Sequence, residues 1–487
     1  LDVTRVCGYE DSDKAQRFVS SHETQALLNR LRKEEHVNYE EVSRLKLRVV
    51  RMVFESFIAR NRDEEETNPE WKSFEEYMAA EGIFLQKFAT FCALRDWLGY
   101  QDSKFFQWRQ WPVGYQHPES DEVNHFMETY SDEILFWMFI QWQIDQQLGE
   151  VQDYTRQIGM LVGLYHDQAL AVDSNGADFW AWREYFTEGF SVGAPPDSFA
   201  PDGQDWGFAP PDSWKIKQSF YSPFRKILRA NLKHGGALRI DHVMQLHHLF
   251  WIPKGSGASE GVYVKDYESD LLNVIALESS QRHNIIIGED LGTVPHNFRE
   301  RLIQKGLLSY RLFYFERDDW GNLIPYYHYP TRALVSLSTH DLPTLAGFWE
   351  GLDIEKRLEI GRIKPEDELD SRKERTDHKA KIIERLVRDG VLPDYTAHEA
   401  WINTFPTDDL HSAALSFVFR TPCAIALINQ EDIFLDIRQQ NLPGTTWENP
   451  NWVTKTGFSV EELRENTLAR EMAAKFKRLL IESGRQT

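Results

Sequence analysis

The alternation of short apolar runs with helical patterns after Gly149 is the feature that most constrains the fold of this chain. Each run is rich in β-forming residues and is followed by a turn and then by an amphipathic segment such as Asp377–Asp389. The runs are Met160–Tyr165, Ala237–Asp241, Asn284–Glu289, Leu308–Phe315, Leu334–Thr339 and Cys423–Asn429. Repeated βα units predict an α/β protein, either a barrel or an open parallel sheet, and strand patterns alone do not separate the two.

Polar side chains at the ends of these runs favour the barrel. They are Asp167 after the first run, Arg239 and Asp241 in the second, Glu289 and Asp290 at the third, and His340 and Asp341 after the fifth. The carboxyl ends of all strands of a (β/α)8 barrel meet at one mouth, so residues distant in sequence share a site there. Clustered carboxylates at an apolar rim cost stability, which points to a functional role. We therefore predict a TIM-type (β/α)8 barrel.

The N-terminal third of the chain has a different, helical pattern. Apolar residues recur there at spacings of three and four, opposite acidic and Gln-rich faces. Examples are Val49, Val53, Phe54, Phe57, Ile58, Leu135, Met138, Phe139 and Trp142. We expect residues 1–150 to form a mainly helical subdomain inserted in the barrel, and residues 151–487 to form the main part of the barrel itself.

Charge and composition exclude several classes of partner. The chain has 55 Lys and Arg against 76 Asp and Glu, a net charge of −21, which opposes binding to nucleic acid and to anionic lipid. No apolar run approaches the roughly 18 residues of a membrane span. Three widely spaced cysteines and the lack of an export signal after Leu1 indicate a cytoplasmic protein. Nothing in the sequence indicates an oligomeric state.

Three acidic motifs carry the chemical signal. Asp241 lies in Ala-Leu-Arg-Ile-Asp-His-Val, Glu289 in Ile-Ile-Ile-Gly-Glu-Asp-Leu-Gly-Thr-Val-Pro, and Asp341 in Leu-Ser-Thr-His-Asp-Leu-Pro-Thr-Leu. In this order they resemble the motifs of the amylomaltase (disproportionating enzyme, 4-α-glucanotransferase) family of the α-amylase clan. The likeness runs over most of the chain and includes Ser191–Gly207, Ala333–Asp341 and Asn441–Trp452.

The resemblance implies three catalytic roles: Asp241 as nucleophile, Glu289 as general acid/base, and Asp341 as the residue that fixes substrate hydroxyls and stabilises the transition state. Retaining glycosyl transfer needs these residue types, because one carboxylate attacks the anomeric carbon while a second, protonated one, roughly 5–5.5 Å away, supplies the leaving oxygen. The implied partners are malto-oligosaccharides and α-1,4-glucans, and no cofactor is expected.

Neighbouring residues support these roles. Arg239 lies two residues before Asp241, so both side chains are expected on one face of a strand, where Arg239 keeps the nucleophile ionised. Glu289 follows three isoleucines and a glycine, where burial raises the pKa of a carboxyl group. Each motif also has a purely structural interpretation: a buried Arg239–Asp241 ion pair, a solvated turn at Glu289 and Asp290, and a helix N-cap at His340 and Asp341.

The resemblance also implies a set of substrate-binding residues: Arg239, His340, Asp197, Gln204, Trp206 and Asp167. The segment Phe190–Pro211 is rich in Gly and Pro and is expected to form an irregular loop. Its polar side chains would bind sugar hydroxyls and its tryptophan would stack on a pyranose face, whereas the alternative is a self-packed surface loop. His340 has the alternative of a structural histidine, and Asn441 fits a place near the mouth and a turn equally well.

Two patterns are weighed and set aside. Gly257–Gly261 matches a nucleophile-elbow motif, but it follows Pro253-Lys-Gly-Ser rather than an apolar strand, so a flexible loop is predicted. His242, His247 and His248 have spacings that do not place them on one helix face as a metal motif requires, so no metal is predicted.

The predicted function is that of a 4-α-glucanotransferase, which breaks an α-1,4 bond, holds the glycosyl unit on Asp241 and passes it to the 4-hydroxyl of another glucan. An α-glucan hydrolase is an alternative, because hydrolases of the same clan use the same carboxylates. Members of the resembled family place their first two barrel strands ahead of the segment that Leu1–Val6 resembles. We therefore expect one or two barrel strands to be absent from this chain, which leaves an inactive glucan-binding fragment as a second alternative.

Overall fold

A computed structural model describes residues 1–61, 68–196, 202–446 and 448–485. The chain divides into two compact units. The first unit comprises Leu1–Glu34 and Asn38–Ile285, and the second comprises Glu35–Val37 and Ile286–Thr487. Among the residues that the structure describes, no helix is long and apolar enough to cross a membrane. The predicted division into residues 1–150 and 151–487 stays a prediction.

The first unit begins with long helices, as the periodicity predicts. These are α1 (Asp13–Ser20), α2 (His22–Lys33), α3 (Tyr39–Asn61), α4 (Pro69–Gly99), α5 (Asp121–Thr129) and α6 (Ser131–Gln157). The Asn68 side chain caps α4 by accepting from the backbone N–H groups of Glu70 and Trp71, and α4 is kinked at Gly82, where φ is 58°. Later helices of this unit are α7 (Ala177–Trp182), α8 (Ser213–Gln218), α9 (Ser222–Leu232) and α10 (Glu268–Arg282).

Aromatic rings fill the core between these N-terminal helices. The ring centroids of Phe57 and Phe139 lie 5.0 Å apart and those of Phe74 and Trp142 lie 5.2 Å apart. Phe54 packs against Phe139 as well, at 5.4 Å. Tilted and edge-to-face contacts at such distances add to the apolar area that the rings bury. Much of the aromatic content of the chain therefore serves this core.

A parallel pair of strands follows in the first unit: β1 (Tyr165–Gln168) and β4 (Ala237–Ile240), with Asp167 opposite Arg239. The prediction of a first strand over Met160–Tyr165 was wrong in its bounds. Gly159 and Gly163 have φ values of 81° and 75°, so the backbone turns twice after α6 before it can extend. Asp167 consequently lies inside β1 rather than just after it.

An antiparallel sheet in the first unit replaces much of the predicted irregular loop. Its strands are β2 (Phe190–Ala194), β3 (Gln204–Phe208), β5 (His248–Pro253) and β6 (Val262–Lys265), in the order β3-β2-β5-β6. Gly193 permits the close pairing of β2 and β3, because a Cβ there would lie 2.0 Å from the Gln204 carbonyl oxygen. Between β5 and β6, the predicted flexible loop contains a 3₁₀ helix, Ala258–Glu260.

The second unit carries parallel strands. The strands are β7 (Ile285–Gly288), β8 (Leu308–Leu312), β9 (Ala333–Ser336) and β10 (Ile425–Leu427), paired in this order. α-Helices lie between β7 and β8 and between β9 and β10. Every residue of β9 is buried, as expected for a parallel strand covered on both faces. These strands confirm four of the predicted apolar runs to within a few residues.

The second unit also contains α-helices. They are α11 (Phe298–Gln304), α12 (Leu345–Glu350), α13 (Leu352–Glu359), α14 (Glu368–Arg388), α15 (Asp394–Ile402), α16 (Asp408–Arg420), α17 (Gln430–Ile433), α18 (Val460–Glu465) and α19 (Thr467–Glu482). The predicted amphipathic segment at Asp377–Asp389 lies in α14 except for its last residue, Asp389, which caps the helix. This helix buries Ile382, Ile383 and Leu386 in the core of the unit. The βα alternation predicted from the sequence is therefore present except between β8 and β9, where a 3₁₀ helix, Tyr326–His328, takes the place of the α-helix.

Candidate active site

Arg239 joins two carboxylates in the first unit. One guanidinium nitrogen of Arg239 donates to both carboxylate oxygens of Asp167, each at 2.7 Å, and the other terminal nitrogen lies 2.7 Å from Oδ1 of Asp241. Arg239 is buried, whereas the Asp241 side chain is 34% exposed. Such charge-assisted bonds orient both carboxylates. The interpretation as a buried ion pair thus fits the arginine but not Asp241, which solvent reaches.

The backbone around Asp241 is fixed on both sides. Its N–H donates to the carbonyl of Gln168 at 3.1 Å, and its carbonyl accepts from the Gln245 side-chain amide at 2.8 Å. The next residue, His242, has a φ of 45°, a left-handed conformation that is uncommon outside glycine. The chain therefore turns sharply at the end of β4, which presents Asp241.

Trp206 and Gln204 lie beside this turn. The Trp206 indole contacts the His242 imidazole edge to face, with ring centroids 5.4 Å apart, and its N–H donates to Oε1 of Gln204 at 3.2 Å. Burial lowers the pKa of His242 to about 4, helped by nearby His248, so His242 is neutral at neutral pH. The structure thus places Trp206 against the residue that follows Asp241, and Gln204 against Trp206. The predicted Asp197 lies outside the described residues.

The histidine cluster does not form a metal site in the described part of the chain. His247 pairs with Glu268 through its Nδ1, at 2.5 Å, and His248 packs its ring against Tyr263, with centroids 4.2 Å apart. Within the described ranges, no group of three or more His, Cys, Asp or Glu side chains could hold a metal ion.

In the second unit, Glu289 directly follows β7 and is only 8% exposed. One of its carboxylate oxygens accepts from the Leu291 backbone N–H at 2.8 Å. Its neighbour Asp290 is fully buried and accepts from Tyr310 N–H, Ser309 hydroxyl and Arg299 guanidinium at 2.5–2.7 Å. The interpretation of these residues as a solvated turn was therefore wrong. Asp290 ties β7 to β8, whereas a raised pKa of Glu289 stays a prediction.

Asp341 lies in the loop between β9 and α12. The Asn441 side chain donates to its Oδ1 at 2.5 Å, and Nε2 of His340 lies 3.2 Å from its Oδ2. The Gln439 amide donates to the Asp341 carbonyl at 3.0 Å. The N-cap interpretation was wrong, because Thr344 caps α12 instead. Asn441 thus contacts Asp341, and its place near the barrel mouth stays a prediction.

The Asp432 carboxylate holds both ends of this loop. Its buried carboxylate accepts from the Ser338 hydroxyl at 2.5 Å and from the Leu345 backbone N–H at 2.7 Å. Its carbonyl is bonded to Nε2 of His411 at 2.9 Å. Burial raises the pKa of Asp432 to about 6 in spite of these donors. Sequence reasoning missed Asp432, whose only signal was an acidic residue three positions after the last apolar run.

Within each unit, the structure brings predicted residues together. Asp167, Arg239 and Asp241 share one cluster in the first unit, and His340 and Asp341 share another in the second. The positions of Asp241 and Glu289 directly after parallel strands agree with the sequence prediction for each strand.

Comparison with solved structures defines the class of fold. The structure superposes on amylomaltase from Corynebacterium glutamicum with a TM-score of 0.77 at 29% sequence identity, covering 91% of this chain and 60% of that chain. It superposes on amylomaltase from Streptococcus agalactiae in complex with acarbose with a TM-score of 0.72 at 19% identity, covering 93% and 81%. The α/β barrel fold of TIM type that the sequence predicts is therefore confirmed.

Comparison of sequences identifies the family. A family profile described as 4-alpha-glucanotransferase matches residues 2–459. The 4-alpha-glucanotransferase of Mycobacterium tuberculosis is 34% identical over 384 residues, which are 77% of this chain and 51% of that protein. The Haemophilus influenzae protein of the same name is 30% identical over 458 residues, 93% of this chain and 65% of that protein.

The chain belongs to the 4-alpha-glucanotransferase family. It spans between about half and two thirds of the length of these curated relatives.

Proposed function

We propose that this chain is a 4-α-glucanotransferase that moves segments of α-1,4-glucans between malto-oligosaccharides. The observation that carries the proposal is the accessible Asp241 carboxylate, held by Arg239 directly after a parallel strand of a chain that belongs to this family. An oriented, solvent-reachable carboxylate is what a retaining mechanism needs as its nucleophile.

The first chemical step is glycosylation of the enzyme. A carboxylate oxygen of Asp241 attacks the anomeric carbon of the donor glucan and forms an ester bond to it. The bond between that carbon and the leaving glycosidic oxygen breaks, and Glu289 gives its proton to the leaving oxygen. Arg239 holds the attacking carboxylate in place, and the left-handed turn at His242 fixes the backbone that carries it.

The second step releases the glycosyl unit to an acceptor. Glu289, now ionised, takes the proton of the acceptor 4-hydroxyl, whose oxygen attacks the anomeric carbon while the ester bond to Asp241 breaks. Each step attacks the anomeric carbon from the face opposite its leaving group and inverts it, so the two inversions together retain the α configuration. No cofactor or metal takes part in this scheme.

Asp341 is proposed to bind sugar hydroxyls and to stabilise the positive charge that develops on the ring. Asn441 and His340 bond its two carboxylate oxygens, which orients the group for that role. Asp167, Gln204 and Trp206 are proposed as further sugar contacts, with Asp197 as an additional one.

Transfer and hydrolysis differ only in what attacks the glycosyl ester, a sugar hydroxyl or water. The carboxylates are common to both reactions, so an α-glucan hydrolase is the second candidate. Membership in the transferase family favours transfer. This chain spans only part of the length of its relatives. An inactive glucan-binding fragment is therefore the third outcome to be tested.

Incubation of the purified chain with maltotriose separates these outcomes, with product lengths and total reducing ends followed over time. Glucose together with longer oligomers, at a constant number of reducing ends, is the result that the proposal predicts. A rising number of reducing ends would identify a hydrolase. No change in either quantity would show that this chain alone is not a transferase.

The proposed partners are neutral glucans, and the proposed location is the cytoplasm. A net charge of −21 disfavours nucleic acid and anionic lipid but does not repel an uncharged polysaccharide. Cys7, Cys92 and Cys423 carry free thiols in the structure, which suits a reducing compartment.

A further inference from the structure

Trp452 combines two properties that core packing does not explain. Its side chain is 50% exposed, although it is a large aromatic residue. Its φ is 61°, in the left-handed region that a bulky residue adopts only at an energetic cost and that glycine adopts freely. Non-glycine residues persist in such conformations where the surrounding structure imposes them, and they concentrate at functional sites.

The backbone on both sides of Trp452 is held in place within the second unit. The Trp452 N–H donates to the carbonyl of Gln440 at 2.8 Å. The following residue, Val453, accepts from the Val37 N–H at 2.8 Å, and His36 forms an antiparallel bridge with Thr454. These bonds fix the direction in which the indole ring leaves the chain.

The indole ring lies one side chain away from the Asp341 carboxylate. Its centroid is 4.9 Å from that of the His340 imidazole, and the two rings are inclined by 44°. His340 in turn approaches Asp341, with Nε2 3.2 Å from Oδ2, and its carbonyl accepts from the Asn441 N–H at 3.0 Å. Trp452, His340 and Asp341 therefore form a continuous row of side chains.

We propose that Trp452 is an aromatic platform that binds the glucose unit next to the one held by Asp341. The inference rests on the proposed function and adds a binding residue to it. The C–H groups on one face of a pyranose ring pack well on a flat, half-exposed indole, which can also keep a polar edge in water. A glucose unit that forms hydrogen bonds with Asp341 is linked to a second glucose unit of the same glucan. The row of side chains from Asp341 through His340 places Trp452 at that second unit.

A platform of this kind predicts a dependence on chain length. Short donors that reach only the Asp341 position should bind with nearly unchanged affinity when the ring is removed. Longer malto-oligosaccharides, which place a further glucose unit on the indole, should bind more weakly, because they lose the stacking contact. A tryptophan with a purely structural role would instead lower folding stability and affect every substrate alike.

Trp452→Gly is the informative variant, because it removes the ring and also relieves the backbone at a φ of 61°. Its melting temperature is expected to equal or exceed that of the parent, so a loss of binding cannot be attributed to misfolding. Trp452→Phe keeps a ring and is expected to keep most of the affinity. Trp320→Ala serves as a matched control, because Trp320 is an 80% exposed tryptophan in a turn closed by Asp318.

The test is calorimetric titration of maltoheptaose and maltotriose into each variant, built on Glu289→Gln so that turnover does not interfere. Trp452→Gly should weaken maltoheptaose binding about tenfold and maltotriose binding clearly less, whereas Trp320→Ala should change neither. Equal affinities for maltoheptaose in Trp452→Gly and its parent, or no maltoheptaose binding by the parent, would overturn the platform.

The same data separate this inference from the proposed function. A parent chain that binds maltoheptaose through Trp452 but, with Glu289 intact, transfers nothing from maltotriose supports the platform and overturns the transferase. Normal transfer together with unchanged binding in Trp452→Gly overturns the platform alone.

Discussion

Arg239 is the side chain that shapes the candidate nucleophile. Its guanidinium bonds Asp167 and Asp241 at once, each with a distance of 2.7 Å, and the fork geometry of arginine permits this double contact. A lysine would supply the charge at a single point. The pairing of Asp167 with Arg239 across β1 and β4 sets the position of the arginine, so two strands contribute to the orientation of Asp241.

Replacement of Asp241 tests the role of that carboxylate. Asp241→Asn keeps the shape of the side chain but removes the attacking oxygen anion, so we expect kcat on maltotriose to fall by about a thousandfold or more. Affinity for malto-oligosaccharides should stay close to that of the parent. Initial rates of glucose release and calorimetric titration measure the two quantities.

Asp167→Asn is the matched control, because Asp167 shares the same arginine but is not the proposed nucleophile. We expect it to retain activity well above that of Asp241→Asn. Turnover by Asp241→Asn within about tenfold of the parent would contradict the assignment, as would an equal loss in both variants.

Residue-level prediction from the sequence succeeds where neighbours in the chain are also neighbours in space. The face shared by Arg239 and Asp241 follows from the two-residue period of a strand. The partners of Asp341 and of its loop do not follow from any local pattern, because Asn441, which bonds Asp341, and Asp432, which bonds Ser338, come from segments about a hundred residues away. Local periodicity contains no information about which distant loop meets another.

The loop between β9 and α12 is the element that positions Asp341. Ser338 lies near its start and donates to Asp432 at 2.5 Å, while the Asn429 amide donates to Ser338 at 3.1 Å. Asp432 also bonds Leu345 at the start of α12. The loop is therefore held at both ends by one buried carboxylate, which leaves little freedom to the residues between them.

Ser338→Ala removes one of these two attachments. We expect a fall in kcat of about tenfold with a smaller change in KM, because the loss acts on the placement of Asp341 rather than on general affinity. The free energy of unfolding should fall by about 1–2 kcal/mol, since one buried hydrogen bond is lost. Steady-state kinetics and urea unfolding provide both numbers.

Thr421→Val is a control for stability alone. It removes a buried hydroxyl that donates to the Val418 carbonyl at 2.8 Å, at the end of α16. A similar loss of stability with unchanged kcat is expected there. If Ser338→Ala and Thr421→Val lower kcat equally, the positioning role of the loop attachment is refuted.

Helices α9 and α10 are joined by a buried carboxylate. Glu278 is fully buried and accepts from Arg225, Arg229 and Arg282, each at 2.9 Å. Burial by itself would raise the pKa of Glu278, but the hydrogen bonds from Arg229 and Arg225 outweigh it and hold that pKa below the usual value. The ionised form is therefore favoured in the folded chain.

Stability should depend on pH through this residue. A lowered pKa in the folded state contributes stability that is present above the unfolded pKa, roughly 4.3, and is lost as the pH falls through the folded value. Glu278→Gln should lower the free energy of unfolding at pH 7 by about 2 kcal/mol, and its difference from the parent should shrink below about pH 4. Urea unfolding between pH 3 and pH 7 measures this trend.

Glu384→Gln is the comparison for that experiment, because Glu384 forms an exposed pair with Arg388 on α14. Exposed pairs contribute little, so no comparable change is expected. A pH-independent difference between Glu278→Gln and its parent would show that the charge of Glu278 is not the source of its effect.

At the level of elements, the sequence predicts the parallel strands well and the antiparallel sheet poorly. Buried parallel strands leave mainly apolar runs, and β7 to β10 all overlap the predicted runs to within a few residues. β3 is instead the polar and glycine-containing segment Gln204–Phe208, which resembles a loop in composition. Its strand character comes from pairing with β2, a tertiary effect that outweighs local propensity.

At the level of the whole molecule, the order of the motifs along the chain was the strongest sequence signal. A single Arg-x-Asp occurs by chance, whereas the ordered set around Asp241, Glu289 and Asp341 led to the family that the profile over residues 2–459 confirms. The first compact unit ends at Ile285, within β7. The amino-acid composition does not change at this point. Compact units reflect long-range contacts, which a pattern along the chain does not contain.

The most direct test of the account is the detection of a glycosyl ester on Asp241. The Glu289→Gln chain is mixed with α-maltotriosyl fluoride, whose fluoride leaves without a proton from an acid, so the ester can form while its transfer lacks the base. The account predicts that mass spectrometry finds one maltotriosyl group on the peptide that contains Asp241. It predicts no such group in the double variant that carries Asp241→Asn as well as Glu289→Gln. Consumption of the fluoride with an unmodified chain, or with the sugar on another residue, would contradict it.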